Sequence, residues 1–204
     1  VRQSRLLLHA RAANGTLDKS LVHSQLGGLF QSAPNTPKRL RALWALQVTG
    51  CLDRDSLSVL LGHDDEYVRA WAIQFLCDDS SVNAFHHASK TRRGPVLQRV
   101  VDQFAALAKN ERSPVVRLYL SSAVQRLPFA YRWPILKGLV SRAEDAADRN
   151  LPRMYWFGLE PMVPGFPVES LRLAVEGKIP ALQEFVARRM VSGDVPVAVN
   201  RRRR

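Results

Sequence analysis

Cysteine is nearly missing: Cys51 and Cys77 are the whole complement in 204 residues, too few for a cystine framework. Neither opens a C-x-x-C-H haem-attachment motif, since Cys51 runs on as Leu-Asp-Arg and Cys77 as Asp-Asp-Ser. Each closes an apolar segment, as a small buried hydrophobe does. They follow similar points of neighbouring repeats, so a disulfide in an oxidising compartment stays open as the alternative. Long hydrophobic runs are missing too. No apolar stretch reaches the roughly 18 residues that a membrane-spanning helix needs. The longest run without Asp, Glu, Lys or Arg, Ser20–Pro37, holds Ser, Gln, Asn, His and two prolines. Alternating strand patterns are absent except at VPVAV, 195–199. Gly27-Gly28 is too short for a phosphate loop, and no Ser or Cys has a recognisable base beside it. The sequence therefore carries no catalytic signature. The opening VRQSRLLLHARAANG has only a three-leucine core, not a signal peptide. A chain that begins with Val is expected to be a piece of something longer.

What is present is ordinary globular material, 46% hydrophobic and 24% charged, long enough to bury about 70% of its unfolded surface. The apolar spacing is helical. Val68, Trp71, Ala72, Phe75 and Leu76 form one stripe. The same spacing recurs through Val116, Tyr119, Leu120, Ala123 and Val124, and through Leu97, Val100, Val101, Phe104 and Leu107. Seven of the twelve prolines (37, 95, 114, 134, 152, 167 and 180) stand at or just before such a segment, where the N–H that proline lacks would be unpaired anyway. Thr36-Pro37 and Ser113-Pro114 read as a cap followed by proline, while Gly50, Gly62 and Pro128 read as stops. The pattern predicts eleven helices, near 3–13, 18–31, 37–50, 54–62, 65–78, 95–109, 114–127, 132–143, 151–163, 167–176 and 180–192. It also predicts one long polar, then basic, loop over 78–94 and a disordered basic tail over 194–204.

An internal repeat links the helices. Leu40–Leu46, Val68–Ile73 and Val116–Leu120 each run aliphatic, arginine, then small or aromatic residues. Their arginines, Arg41, Arg69 and Arg117, are 28 and 48 residues apart, and Arg153 reads as a degenerate fourth. Periods of this size with two helices each indicate an all-α solenoid, whose pairs bury their apolar faces only by stacking.

LLGHDDEYVRAWAIQFL (Leu60–Leu76) resembles the HEAT-repeat pattern of helix end, acidic turn and Val-Arg-x-x-Ala. The resemblance implies a HEAT/armadillo-type right-handed solenoid of about five helix pairs in one domain, 1–193. It implies an inter-repeat ladder of Asp64 or Asp65 with Arg69, joined by Arg41 and Arg117. The third copy replaces the acidic pair by Asn110-Glu111-Arg112-Ser113. More extended phrases, among them KRLRALWALQVTGCLD, RSPVVRLYLSSAVQRLP and NLPRMYWFGLEPMV, look like the helical-repeat region of large bacterial multidomain PVC-type haem-binding proteins, the membrane-bound dehydrogenase-like chains. That resemblance covers roughly Arg5 to Met190. It implies a periplasmic or extracytoplasmic electron-transfer parent with haem c held elsewhere. It transfers no catalytic or haem-binding residue, and the arginine-rich end departs from a run into a cytochrome domain.

The remaining candidates concern surfaces. Lys plus Arg is 30 against 18 Asp plus Glu, a net charge of +12, which draws anionic partners. Lys90, Arg92, Arg93 and the terminal Arg201, Arg202, Arg203 and Arg204 are the densest cations and the candidate anion or nucleic-acid contacts. Such a basic solenoid, of the kind alkylpurine glycosylases use to cradle DNA, is the alternative to a protein-interaction scaffold, by analogy of fold and charge alone. Trp133, Tyr155 and Trp156 are candidate docking aromatics, whereas Trp44 and Trp71 lie on core stripes. His86-His87 lack acid or thiol at ligand spacing and read as a solvated loop. Glu144, Asp145 and Asp148 read as a solvated acidic turn, and His63 as a turn residue.

Overall fold

Side-chain caps set where the helices begin. The computed structural model describes residues 2–78 and 95–192. Helix α1 spans Arg2–Ala13. Asp18 accepts the Leu21 N–H at 3.1 Å and opens α2, Lys19–Gln31. Asn35 does the same for α3, Thr36–Val48, through the Lys38 N–H at 3.1 Å. The cap is thus Asn35 rather than Thr36, which frees the Thr36 hydroxyl for another partner. Asp53 caps α4, Arg54–Leu60, and α5 follows as Glu66–Asp78. After α6, Pro95–Asn110, Ser113 accepts the Val116 N–H at 3.3 Å to start α7, Pro114–Arg126. Helices α8 (Phe129–Val140), α9 (Leu151–Leu159), α10 (Pro167–Glu176) and α11 (Pro180–Val191) complete the set, with 3-10 turns at Ala143–Ala147 and Glu160–Met162. One C-terminus is closed by Gly50 at φ +75°. The N–H groups of Gly50 and Cys51 reach the carbonyls of Gln47 and Leu46 at 3.1 and 2.9 Å, a closure that needs a left-handed residue.

The described residues are all-helical, eleven α-helices and no strand, as the period predicts. Two helices are corrected. The one expected over 151–163 ends at Leu159, where the 3-10 turn Glu160–Met162 takes over. The helix expected from 132 begins at Phe129, with Pro134 inside it. Proline there deprives only the Ala130 carbonyl of its helical donor, and Ala130 is exposed, so water satisfies it. The predicted loop over 78–94 (from residue 79), the tail from 194 and the VPVAV segment lie outside the described residues.

The chain packs as two compact units, Val1–Val82 and Asn83–Arg204. In the first unit α2 packs on α3 and α4 on α5, while α1 lies against α3 and α3 against α5. Leu43, Val68, Ile73 and Leu76 are its largest fully enclosed side chains. In the second unit α6 packs on α8 and α7 on α9, with α8 also meeting α7 and α9, and α11 meeting α9 and α10. Its core is Phe104, Leu120, Ile135, Leu139 and Tyr155. Contact between next-but-one helices arises in both units and gives each a layered interior. Two glycines allow the closest crossings. A Cβ on Gly138 would stand 2.8 Å from the Ala108 Cβ, and one on Gly158 2.8 Å from Val124 Cγ1.

Candidate functional site

The repeated arginine has a definite place. Arg39, Arg69, Arg117 and Arg132 are each the fourth residue of their helix. Each folds back onto carbonyls of the turn before, where helix ends leave C=O groups without intrahelical donors. Arg39 Nη2 donates to the Ala33 carbonyl at 3.1 Å. Arg69 Nη1 donates to those of His63 and Asp64 at 2.7 and 2.9 Å. Arg117 Nη1 donates to those of Glu111 and Arg112 at 3.0 and 2.9 Å. Arg132 donates to Leu127 and Gln125 at 2.7 and 2.9 Å, and also to Gly158 at 3.0 Å.

In two cases a carboxylate from further along the chain completes the clamp. Arg39 Nη1 donates to Asp65 Oδ2 at 3.2 Å, and the Thr36 hydroxyl donates to the same oxygen at 2.6 Å. Burial works to raise the Asp65 pKa, but the hydrogen bonds from Thr36, the Tyr67 N–H and Arg39 outweigh it and hold the carboxyl below the usual range. In the second unit Arg117 grips Asp145 with both Nε, at 2.7 Å, and Nη2. The Tyr155 hydroxyl donates to Asp145 Oδ2 at 2.6 Å. This triad is enclosed, Arg117 and Asp145 each being 2% exposed and Tyr155 0%. Burial would lower the Arg117 pKa, yet the hydrogen bond and charge of Asp145 raise it. Burial, then Asp145, push the Tyr155 phenol far above its ordinary value. Arg132 accepts no such help: its hydrogen bonds go to carbonyls, and burial lowers its pKa to about 10. A satisfied, solvent-excluded cation and carboxylate hold geometry; they offer nothing for a substrate to reach.

These positions revise the sequence reading. Arg41 is exposed, and the arginine that meets Asp65 is Arg39, two residues earlier. Arg69 takes carbonyls, with Asp64 supplying its backbone oxygen. Arg153 is exposed, and the fourth arginine of the series is Arg132. Asp145 is no solvated turn residue, because the guanidinium of Arg117 draws it inside. Its neighbours stay outside: Glu144 pairs with Arg142 at 2.8 Å, and Asp148 accepts the N–H groups of Asn150 and Leu151 at 2.7 and 2.9 Å. Tyr155 is no docking aromatic, being buried against Asp145. Trp133 and Trp156 are half-buried, their rings against Phe166 and Phe185 at 6.0 and 5.6 Å. Phe129 and Phe166 remain 39% and 40% exposed. Trp44 and Trp71 meet edge to face at 5.0 Å. His63 Nδ1 accepts the Asp65 N–H at 2.9 Å. Cys51 and Cys77 are not joined in a disulfide. Lys90, Arg92, Arg93, His86, His87 and Arg201–Arg204 lie outside the described residues.

Two grooves went unseen in the sequence, since each gathers residues from helices far apart in the chain. One, of about 540 Å³ in the second unit, lies among α6, α8 and α10 and carries Lys109, Lys137, Ser141 and Glu176. Its two lysines sit in the last turns of α6 and α8, where cations offset the helix dipole. The other, of about 470 Å³, lies among α1, α2 and α3 in the first unit, with Arg5, Lys38 and Arg41 around Leu8, Leu26 and Leu29. Among the described residues no three His, Cys, Asp or Glu gather as a metal site, and no helix is long and apolar enough to cross a membrane. No family model, curated protein or solved structure matches this chain.

Proposed function

We propose that this chain is a non-catalytic helical-repeat scaffold or protein-interaction module, a HEAT/armadillo-type right-handed solenoid. It would belong to a larger extracytoplasmic, haem-binding, dehydrogenase-like electron-transfer protein. The observation that carries the scaffold reading is the recurrent arginine clamp. Arg39 with Asp65 and Arg117 with Asp145 join residues 26 and 28 apart, a span of one helix pair. A device that ties successive pairs in the same way supports stacked repeats. The buried polar groups at Asp145 serve packing, which supports a supporting role over chemistry. The haem-protein context rests on the phrases quoted above. Haem c would be attached elsewhere in the parent, and the partners would be its other domains or a second protein.

A basic surface favours one other reading, a nucleic-acid-binding solenoid, through the net charge of +12. A filter-binding titration of a short DNA duplex against salt separates the two. The scaffold reading expects negligible affinity at physiological salt. Affinity whose logarithm falls linearly and steeply with log salt, and whose slope shrinks when Arg201–Arg204 are removed, would replace it with the second.

A further inference from the structure

Residues 1–52 hold seven Lys or Arg and a single acid, Asp18, and that acid is engaged as the cap of α2. Three of the cations rim the groove among α1, α2 and α3: Arg5 from α1, Lys38 and Arg41 from α3. None of the three has an ion-pair partner among the described residues. Lys38 and Arg41 are exposed in the first two turns of α3, and no acid stands in its first turn. Cations there face the positive end of the helix dipole, an arrangement that an incoming anion relieves. The Arg5 guanidinium lies 4.8 Å above the Trp44 ring, its Nε enclosed and without a hydrogen-bond acceptor. Between these charges the groove is aliphatic, with Leu8, Leu26, Leu29, Ala42 and Ala45. Leu29 is 59% exposed, and α2 buries no residue fully.

We propose that this groove docks an acidic amphipathic helix of a partner protein, a reading that rests on the scaffold function. Its apolar stripe would cover Leu8, Leu26 and Leu29, and its flanking carboxylates would meet Arg5, Lys38 and Arg41. The charge is complementary on both walls, and three cations on two helices ask for several spaced anions. A single acyl carboxylate neutralises one of them. A nucleic-acid backbone has the charge but no aliphatic stripe for the leucines.

The test uses the full chain and a fluorescein-labelled synthetic helix of about 18 residues, five turns, with leucines at i, i+3, i+4 and i+7 and glutamates beside them. Anisotropy should report binding that a scrambled peptide lacks. Both the exposed double variant Lys38→Glu, Arg41→Glu and the variant Leu29→Glu should weaken it at least about tenfold, with unchanged helical circular dichroism. Equal binding of the scrambled peptide, or indifference to either variant, overturns the proposal. So does a duplex, or an oleate-doped phosphatidylcholine vesicle, that binds where the peptide does not and loses its affinity in the double variant. A chain that binds neither peptide nor duplex keeps the scaffold reading and loses this one.

Discussion

At the scale of single residues, the fourth position of a helix decides more than composition does. The guanidinium there reaches the orphan carbonyls just upstream, so Arg39, Arg69, Arg117 and Arg132 hold the turns in which they are anchored. Asp145→Asn would leave the enclosed Arg117 without its counter-charge and should cost about 3–5 kcal/mol. Tyr155→Phe removes one hydrogen bond to a charged acceptor and should cost about 1.5–3 kcal/mol. Urea unfolding of both variants checks the ranking; an Asp145→Asn loss under 1 kcal/mol would remove the triad from the fold's support. A second pair of variants contrasts neighbours. Arg39→Ala, in a partly exposed ion pair, should lose about 1 kcal/mol, and Arg41→Ala should change stability by less than about 0.5 kcal/mol. The reverse order would restore the two-residue shift of the sequence reading. That shift had a readable cure. Counting four from the cap at Asn35 lands on Arg39, whereas matching the text Leu-Arg-Ala lands on Arg41. Asp145 had no such cure. Its acidic neighbours make the segment look solvated, and the arginine that draws it inward lies 28 residues away.

At the scale of elements, helix existence was legible almost throughout, because cap, proline and apolar period agree. Most boundaries fall within two residues of expectation. The exceptions are α8, where Pro134 looks like a start but sits inside the helix, and the end of α9, where a 3-10 turn takes over at Glu160. What no local pattern discloses is which helices touch. Gly138 illustrates this: in the sequence it is only a weak helix former, and in the fold it is the contact point of α6 and α8. Gly138→Ala would place a methyl 2.8 Å from the Ala108 Cβ and 2.9 Å from the Lys109 nitrogen. Such overpacking should cost about 1–3 kcal/mol, despite alanine's better helix propensity. A stabilised Gly138→Ala variant in thermal unfolding would contradict the close crossing. Both grooves were illegible for the same reason, since each is a property of three helices at once.

At the scale of the whole molecule, acid should unfold the chain through its carboxylates. Asp65, Glu144 and Asp148 have folded pKa values below their ordinary ones. For Asp65 burial opposes the shift and the hydrogen bonds win; for Glu144 and Asp148 backbone hydrogen bonds lead. A depressed carboxyl contributes stability that is fully present above its unfolded pKa, near 4. That contribution is lost as pH falls through the folded value. Urea midpoints measured from pH 6 down to pH 2 should therefore stay level to about pH 5 and then drop. In Asp65→Asn the drop should be shallower. Midpoints that stay level or rise on acidification would show that these depressed carboxyls contribute no net stability to the fold.

The clamps also constrain how such a chain can change length. One residue inserted into α3 after Arg39 would turn the rest of the helix by about 100° relative to that side chain. Asp65 and Arg39 would then compete with the apolar stripe for orientation. An added residue between α1 and α2 faces no such conflict, and loop closure charges little for it. Variation by whole helix pairs, each carrying its own arginine and its own turn, is the route that leaves every latch in register.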